Sequence, residues 1–289
     1  AVESKDIKIA EYLIKGGANV NVTNSEGKKL ILVSYEKNSI EVFKLLISGG
    51  AMINEAFEGK TLLHITVTAN RFSFAYALIK GGADINARDA DGKTALMIAA
   101  EKGYKGTGKV LVAATTDFTL KDNTGETVLY KSLKTGNGGC YTIADLVLKG
   151  GAAADGTCPD GKPLLIYAAE SGKFNFVSLL LKYGSDPNVT SSRKETAIYI
   201  LSKTVMTGSK DKYKSDQAAK VIAELVSKGG DPNLADRYGR TPLDMACRRK
   251  NTVIAGVLIK AGATVDAQDG NGNTSLKKVI MDYTGDYKV

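Results

Sequence analysis

The chain has 289 residues, 43% of them hydrophobic and 24% charged, the balance of an ordinary water-soluble protein. No stretch approaches the roughly 18 consecutive apolar residues of a membrane span, and no charged-then-apolar leader follows Ala1. The three cysteines (Cys140, Cys158, Cys247) have neither the close spacing of a disulfide framework nor that of a zinc site, and the net charge of +8 is modest until it is located along the chain.

Taken from the N-terminus, Ala1–Ser4 reads as the tail of one helix. Ile9-Ala10-Glu11-Tyr12-Leu13-Ile14-Lys15 reads as an amphipathic helix, with apolar residues at helical spacing, ended by Gly16-Gly17. The double glycine returns at Gly49-Gly50, Gly81-Gly82, Gly150-Gly151 and Gly229-Gly230. Most are followed by a polar–apolar–Asn phrase such as Ala18-Asn19-Val20-Asn21, Ala83-Asp84-Ile85-Asn86 or Asp231-Pro232-Asn233, with variants at Gly184–Asn188 and Gly262–Asp266. A second phrase opens each unit: Gly59-Lys60-Thr61-Leu62-Leu63-His64, Gly92-Lys93-Thr94-Ala95-Leu96-Met97, Gly125-Glu126-Thr127-Val128-Leu129-Tyr130, Gly239-Arg240-Thr241-Pro242-Leu243-Asp244 and Gly272-Asn273-Thr274-Ser275-Leu276. Its glycine permits a turn, its threonine caps a helix, and its leucine begins a buried face. Positions 27, 59, 92, 125, 161, 194, 239 and 272 mark the repeat, with steps of 32, 33, 33, 36, 33, 45 and 33 residues.

A unit of 33 residues with a turn, two short helices and a Thr-Pro-Leu-His-like phrase resembles the ankyrin repeat. The resemblance covers nearly the whole chain. It implies an all-α fold, an ankyrin-repeat solenoid of stacked helix pairs with short β-hairpin fingers. Residues 1–289 are then a single array of about nine units with partial first and last members, preceded by at least one further helix. The 36-residue step puts three extra residues near Gly136–Gly139, and the 45-residue step puts twelve at about 205–216. Both read as loop insertions between the two helices of a unit. The interior glycines Gly106 and Gly108 cost roughly 2 kcal/mol relative to alanine, so the outer helix there is expected to be short or frayed over residues 104–110. Small phrases such as Ile98-Ala99-Ala100, Tyr167-Ala168-Ala169 and Met245-Ala246-Cys247 allow helices to approach closely, and Cys247 in an alanine place reads as buried packing.

Catalytic constellations are thin. Residues 103–109 spell Gly-x-x-x-x-Gly-Lys, but Val110 stands where a phosphate loop needs Ser or Thr for magnesium, and the preceding segment reads as helix, not strand. With one histidine, His64, neither a His-based metal cluster nor a pair of triads can be assembled; the resemblance gives His64 the role of bonding the hairpin turn. Asp89, Asp91 and Asp122 fall at hairpin tips, where side-chain turns account for them. The reading is therefore a non-enzymatic protein without a cofactor.

Charge is the sharper signal. Between Arg193 and Lys260 there are fourteen Lys/Arg and seven Asp/Glu, a net of +7 that leaves +1 for the rest of the chain. The resemblance places finger and inner-helix residues in the groove that ankyrin proteins use for partners. Here those are Arg193, Lys194, Lys203, Arg237, Tyr238, Arg240, Arg248 and Arg249, with Phe57 at an earlier fingertip and Lys210, Lys212, Tyr213 and Lys214 in the insertion. Arginine with tyrosine is the mixture that concentrates binding energy at interfaces. The expected function is a monomeric protein–protein interaction scaffold taking an acidic partner. A regulatory or targeting segment of a larger chain is the alternative, as is polyanion or nucleic-acid binding through residues 193–260, which the scarcity of stacking aromatics disfavours. The compartment is open, with the cytoplasm favoured.

Overall fold

A computed structural model describes residues 6–115, 117–204 and 212–284. Helices α1 (Ile7–Lys15), α2 (Leu30–Glu36) and α3 (Ile40–Ser48) precede a two-stranded hairpin, β1 (Ala56–Phe57) and β2 (Lys60–Thr61). Four helix pairs in a row then follow the same inner–outer rhythm. They are α4 (Leu62–Thr68) with α5 (Phe72–Lys80), α6 (Ala95–Lys102) with α7 (Lys105–Ala114), α8 (Val128–Thr135) with α9 (Gly138–Lys149), and α10 (Leu164–Glu170) with α11 (Phe174–Lys182). Last come α12 (Ala197–Thr204) with α13 (Lys212–Ser227), α14 (Pro242–Arg248) with α15 (Thr252–Lys260), and α16 (Ser275–Thr284). The chain divides into two compact units, residues 1–152 and 153–289.

Within each unit like packs on like. Inner helices α4, α6 and α8 stack in succession in the first unit, and α10, α12, α14 and α16 in the second. Outer helices α1, α3, α5, α7 and α9 form a parallel row, as do α11, α13 and α15. The small phrases make this possible: Ala99, Ala100, Ala168, Ala169 and Ala246 are all buried, so these places put no more than a methyl group between neighbouring helices. Single repeats cannot bury their apolar faces alone, and their neighbours supply the cover.

The polar phrases of the repeat join one repeat to the next. Asn21 donates from Nδ2 to the Gly50 carbonyl and accepts at Oδ1 from the Met52 amide at 2.8 Å. Asn188 does the same with Gly229 and Asp231, and Asn233 with Gly262 and Thr264. Fingers are closed by carboxylates: Asp89 accepts the amides of Asp91 and Lys93, and Asp122 those of Thr124 and Glu126. These are the side-chain turns foreseen for those aspartates.

Two expectations about the irregular repeats change. Gly106 and Gly108 do not fray their helix; α7 runs ten residues without a break. A Cβ on Gly108 would stand 2.6 Å from Ile143 of α9, so this glycine exists for close helix contact, and packing offsets its poor propensity. The three extra residues near Gly136–Gly139 are not a loop either. They extend α9 by a turn to twelve residues, capped by the Asn137 side chain on the Cys140 amide at 2.9 Å. Gly139 is required there, because a Cβ would run into the Gly103 carbonyl. Of the larger insertion, residues 212–216 belong to α13 and 205–211 lie outside the described residues, as do Ala1–Ser4.

Candidate partner-binding face

The fingers and inner helices carry a charge register. In five repeats the residue after the hairpin glycine position and the residue eight further on, at the end of the inner helix, come together. Lys28 pairs with Glu36 and Lys93 with Glu101 at 3.0 Å, Glu126 with Lys134 at 2.7 Å, and Lys162 with Glu170 and Glu195 with Lys203 at 2.6 Å. The sign can invert, but in these five the two are opposite; the repeats that begin at Gly59 and Gly272 hold Lys60 with Thr68 and Asn273 with Met281. In the repeat that begins at Gly239 the same two places hold Arg240 and Arg248, two like charges. This pattern is legible in the sequence, yet counting net charge over a window does not find it.

Each arginine turns instead to an aspartate. Arg240 donates from Nε and Nη2 to Asp236 Oδ2 at 2.9 and 2.5 Å, and the same oxygen accepts the Tyr199 hydroxyl at 2.8 Å. Burial raises the Asp236 carboxyl, but Arg240, Tyr199 and two backbone amides outweigh it and hold the group below the usual carboxylate range. Burial, and next Asp236, push the Tyr199 phenol well above its ordinary value, so it remains a donor. Arg248 Nε lies 3.3 Å from Asp244 Oδ2, within ion-pair range but without hydrogen-bond geometry, and that oxygen has no hydrogen-bond partner. The other Asp244 oxygen takes the buried Lys278 ammonium at 2.8 Å, and Lys278 also meets Asp269 at 2.7 Å. Burial of Asp269 is overcome by Lys278 and the amides of Asn273 and Asn271, bringing its carboxyl to about 2.

The foreseen binding residues divide by partner. Lys203 is neutralised by Glu195, and Arg240 by Asp236. Arg193, Lys194 and Arg237 are exposed at fingertips and Arg249 is half-buried at the end of α14, with no carboxylate partner among the described residues. Consecutive fingers bring three of these together, since the Arg237 amide donates to the Arg193 carbonyl at 3.2 Å. Lys194 sits at φ 60° in the place other fingers give to glycine. Tyr238, 53% exposed, has the Arg237 and Arg240 guanidinium groups each 4.8 Å from its ring centre, and Arg237 donates to its hydroxyl at 2.7 Å. All these residues lie in the second unit. Phe57 lies in the first, half-buried in β1 opposite Lys60. Tyr213 and Lys214 are exposed on α13; Lys210 and the Lys212 side chain lie outside the described residues.

A cavity of about 710 Å³ opens beside this register, lined by Arg240, Asp244, Arg248, Arg249, Lys250 and Tyr283 among others. Cys247 lines it too and is partly exposed, not buried as its alanine place suggested, because the cavity opens beside the end of α14. Burial first, and Asp244 second, raise its thiol above the ordinary value, which favours the protonated, unreactive form.

The remaining suspects resolve structurally. His64 accepts the Thr61 amide on Nδ1 at 3.3 Å and donates from Nε2 to the Lys93 carbonyl of the next finger at 2.9 Å. Residues 103–109 follow helix α6, with Gly103 as its left-handed cap and α7 starting at Lys105; the strand a phosphate loop needs is replaced by a helix. Among the described residues no cluster of His, Cys, Asp or Glu could hold a metal ion, and no helix is long and apolar enough to cross a membrane.

Comparison with known proteins agrees with this architecture. The family model described as ankyrin repeats in three copies matches residues 1–89, 30–122, 70–158 and 96–191, and the single-repeat model matches residues 238–270. Ankyrin repeat and SOCS box protein 16 of Mus musculus is 30% identical over 109 residues, 38% of this chain and 23% of that protein. The chain thus aligns with about a quarter of that relative's length. An ankyrin repeat domain from Acinetobacter baumannii AYE is similar in structure, with a TM-score of 0.59 at 29% identity over 70% of this chain and 98% of that one. The ankyrin repeat domain of Bcl-3 has a TM-score of 0.63 at 23% identity, over 81% of this chain and 99% of the other. With the repeat phrases, the stacked helix pairs and the family matches all coinciding, this chain belongs to the ankyrin-repeat family, whose repeats are general protein–protein interaction modules.

Proposed function

We propose that this protein is a non-enzymatic scaffold whose second unit takes an acidic protein partner on its fingers and inner helices. The observation that carries the reading is the set of Arg193, Lys194 and Arg237 at adjoining fingertips, with the exposed Tyr238 under Arg237, and Arg249 at the end of α14, cations without carboxylate partners among the described residues. Such charge speeds encounter and excludes wrong partners more than it adds affinity, while the tyrosine offers a rigid, partly apolar contact at low entropic cost. Residues 1–289 act in this proposal as one array, and the protein as a monomer.

Affinity capture from a lysate, at low and high salt, tests it. A variant carrying Arg237→Glu, Arg248→Glu and Arg249→Glu is expected to lose the acidic proteins that wild type retains, and wild type itself to release them as salt rises. An unchanged set of captured proteins would remove the basis for assigning this face. Nucleic-acid binding is the second reading, favoured only by the charge; retention of an oligonucleotide on a filter, abolished by the same variant, would support it instead.

A further inference from the structure

The inverted charge at one register position points to a specific seat for the partner. In the repeats that begin at residues 27, 92, 125, 161 and 194, an acid and a base eight residues apart close on each other across the inner helix at 2.6 to 3.0 Å. In the repeat that begins at Gly239 the acid is missing and a second arginine stands in its place. We propose that a carboxylate side chain of the acidic protein partner occupies the cavity beside Arg240 and Arg248, and makes from outside the ion pair that five other repeats make internally.

This deepens, and rests on, the reading of an acidic partner. The cavity lies at the required place, lined by Arg240, Arg248 and Arg249. Arg248 is available to a ligand. It is 43% exposed at its side chain, and its one carboxylate contact, 3.3 Å to Asp244, is the loosest ion pair among Asp236, Asp244 and Asp269. Asp244 also takes Lys278 at 2.8 Å, an ammonium that it shares with Asp269. Arg249 adds a guanidinium with no carboxylate partner among the described residues. A carboxylate matches the geometry of a guanidinium fork, which can grip both its oxygens. Met245, Val279 and Tyr283 give the cavity apolar wall that suits the stem of a glutamate and the backbone around it. A nucleic-acid phosphate would use the charge but not this wall.

The test uses a fluorescent deca-glutamate peptide, read by anisotropy against the whole chain. Arg248→Glu restores the acid–base register with Arg240, and Arg237→Glu makes the identical change of net charge at a fingertip; the difference between them isolates the seat from the general field. Arg248→Glu is expected to weaken peptide binding about tenfold or more, the scale of a lost charge-assisted hydrogen bond, and Arg237→Glu by distinctly less. Arg248→Gln, which adds no carboxylate beside Asp244, is expected to weaken binding in the same direction while the chain still melts cooperatively. Equal losses for Arg248→Glu and Arg237→Glu would overturn the seat while leaving an acidic partner standing. A wild-type chain that ignores the peptide but binds a single-stranded oligonucleotide would overturn both.

Discussion

Gly108 of α7 meets Ile143 of α9 so closely that a Cβ on the glycine would stand 2.6 Å from both Cγ1 and Cδ1 of the isoleucine. Ile143 is fully buried, so it has little room to yield. Gly108→Ala therefore gains helix propensity and loses packing, and the overpacking cost of about 1 to 3 kcal/mol exceeds the gain of about 1 kcal/mol. Gly106, two residues earlier, has only Phe72 Cδ2 at 3.8 Å. Urea melts are expected to show Gly106→Ala stabilising by up to about 1 kcal/mol and Gly108→Ala destabilising. Stabilisation by both would mean that propensity, not contact, governs α7.

His64 links two fingers through the Thr61 amide and the Lys93 carbonyl, and burial, only partly offset by the Lys93 contact, lowers its pKa below 6.5. The unfolded chain then takes up the proton first. The contribution of His64 is fully present above pH of about 6.5 and is lost as pH falls from there toward the folded value. The urea midpoint of wild type should decline over that interval more steeply than that of His64→Gln. Parallel curves would show that the ring titrates without cost.

Lys131 is buried between Asp122 at 2.6 Å and Glu126 at 2.7 Å. Lys131→Met strands Asp122 and leaves Glu126 only the exposed Lys134, and is expected to cost about 3 to 5 kcal/mol. Adding Asp122→Asn, which keeps the side-chain turn, is expected to recover part of that loss. By contrast Lys134, 56% exposed where it meets Glu126, should cost no more than about 1 kcal/mol when replaced by Met. Burial raises the Asp122 carboxyl, but Lys131 and Thr124 bring it well below the usual range. Its stabilising share is therefore present above its ordinary pKa and fades in acid.

The Tyr199 hydroxyl reaches from α12 to Asp236 in the next finger. Tyr199→Phe leaves that carboxylate with Arg240 alone among side chains, and should cost about 1 to 2 kcal/mol. Chemical denaturation of the whole chain measures it. A neutral substitution would place the weight of this contact on Arg240.

The amino-acid sequence by itself determined the repeat, its helix pairs and its fingers, because these depend on local rules. Glycine takes positive φ at turns, threonine caps a helix, and apolar residues recur at helical spacing. It also determined that His64, Asp89 and Asp122 serve turns, since their partners are near in sequence or one repeat away. Tertiary structure decided what depends on neighbours from other repeats. Gly108 looked like a weak point until Ile143 appeared beside it, and the residues at Gly136–Gly139 looked like a loop until α9 absorbed them as a turn. Likewise the basic segment 193–260 looked uniform as a count of charges. Only the fold separates Lys203 and Arg240, held by Glu195 and Asp236, from Arg193, Lys194, Arg237 and Arg249. The physical reason is that a cation's availability depends on which acids the stack brings within a few ångströms, and that distance is not written in the order of the residues.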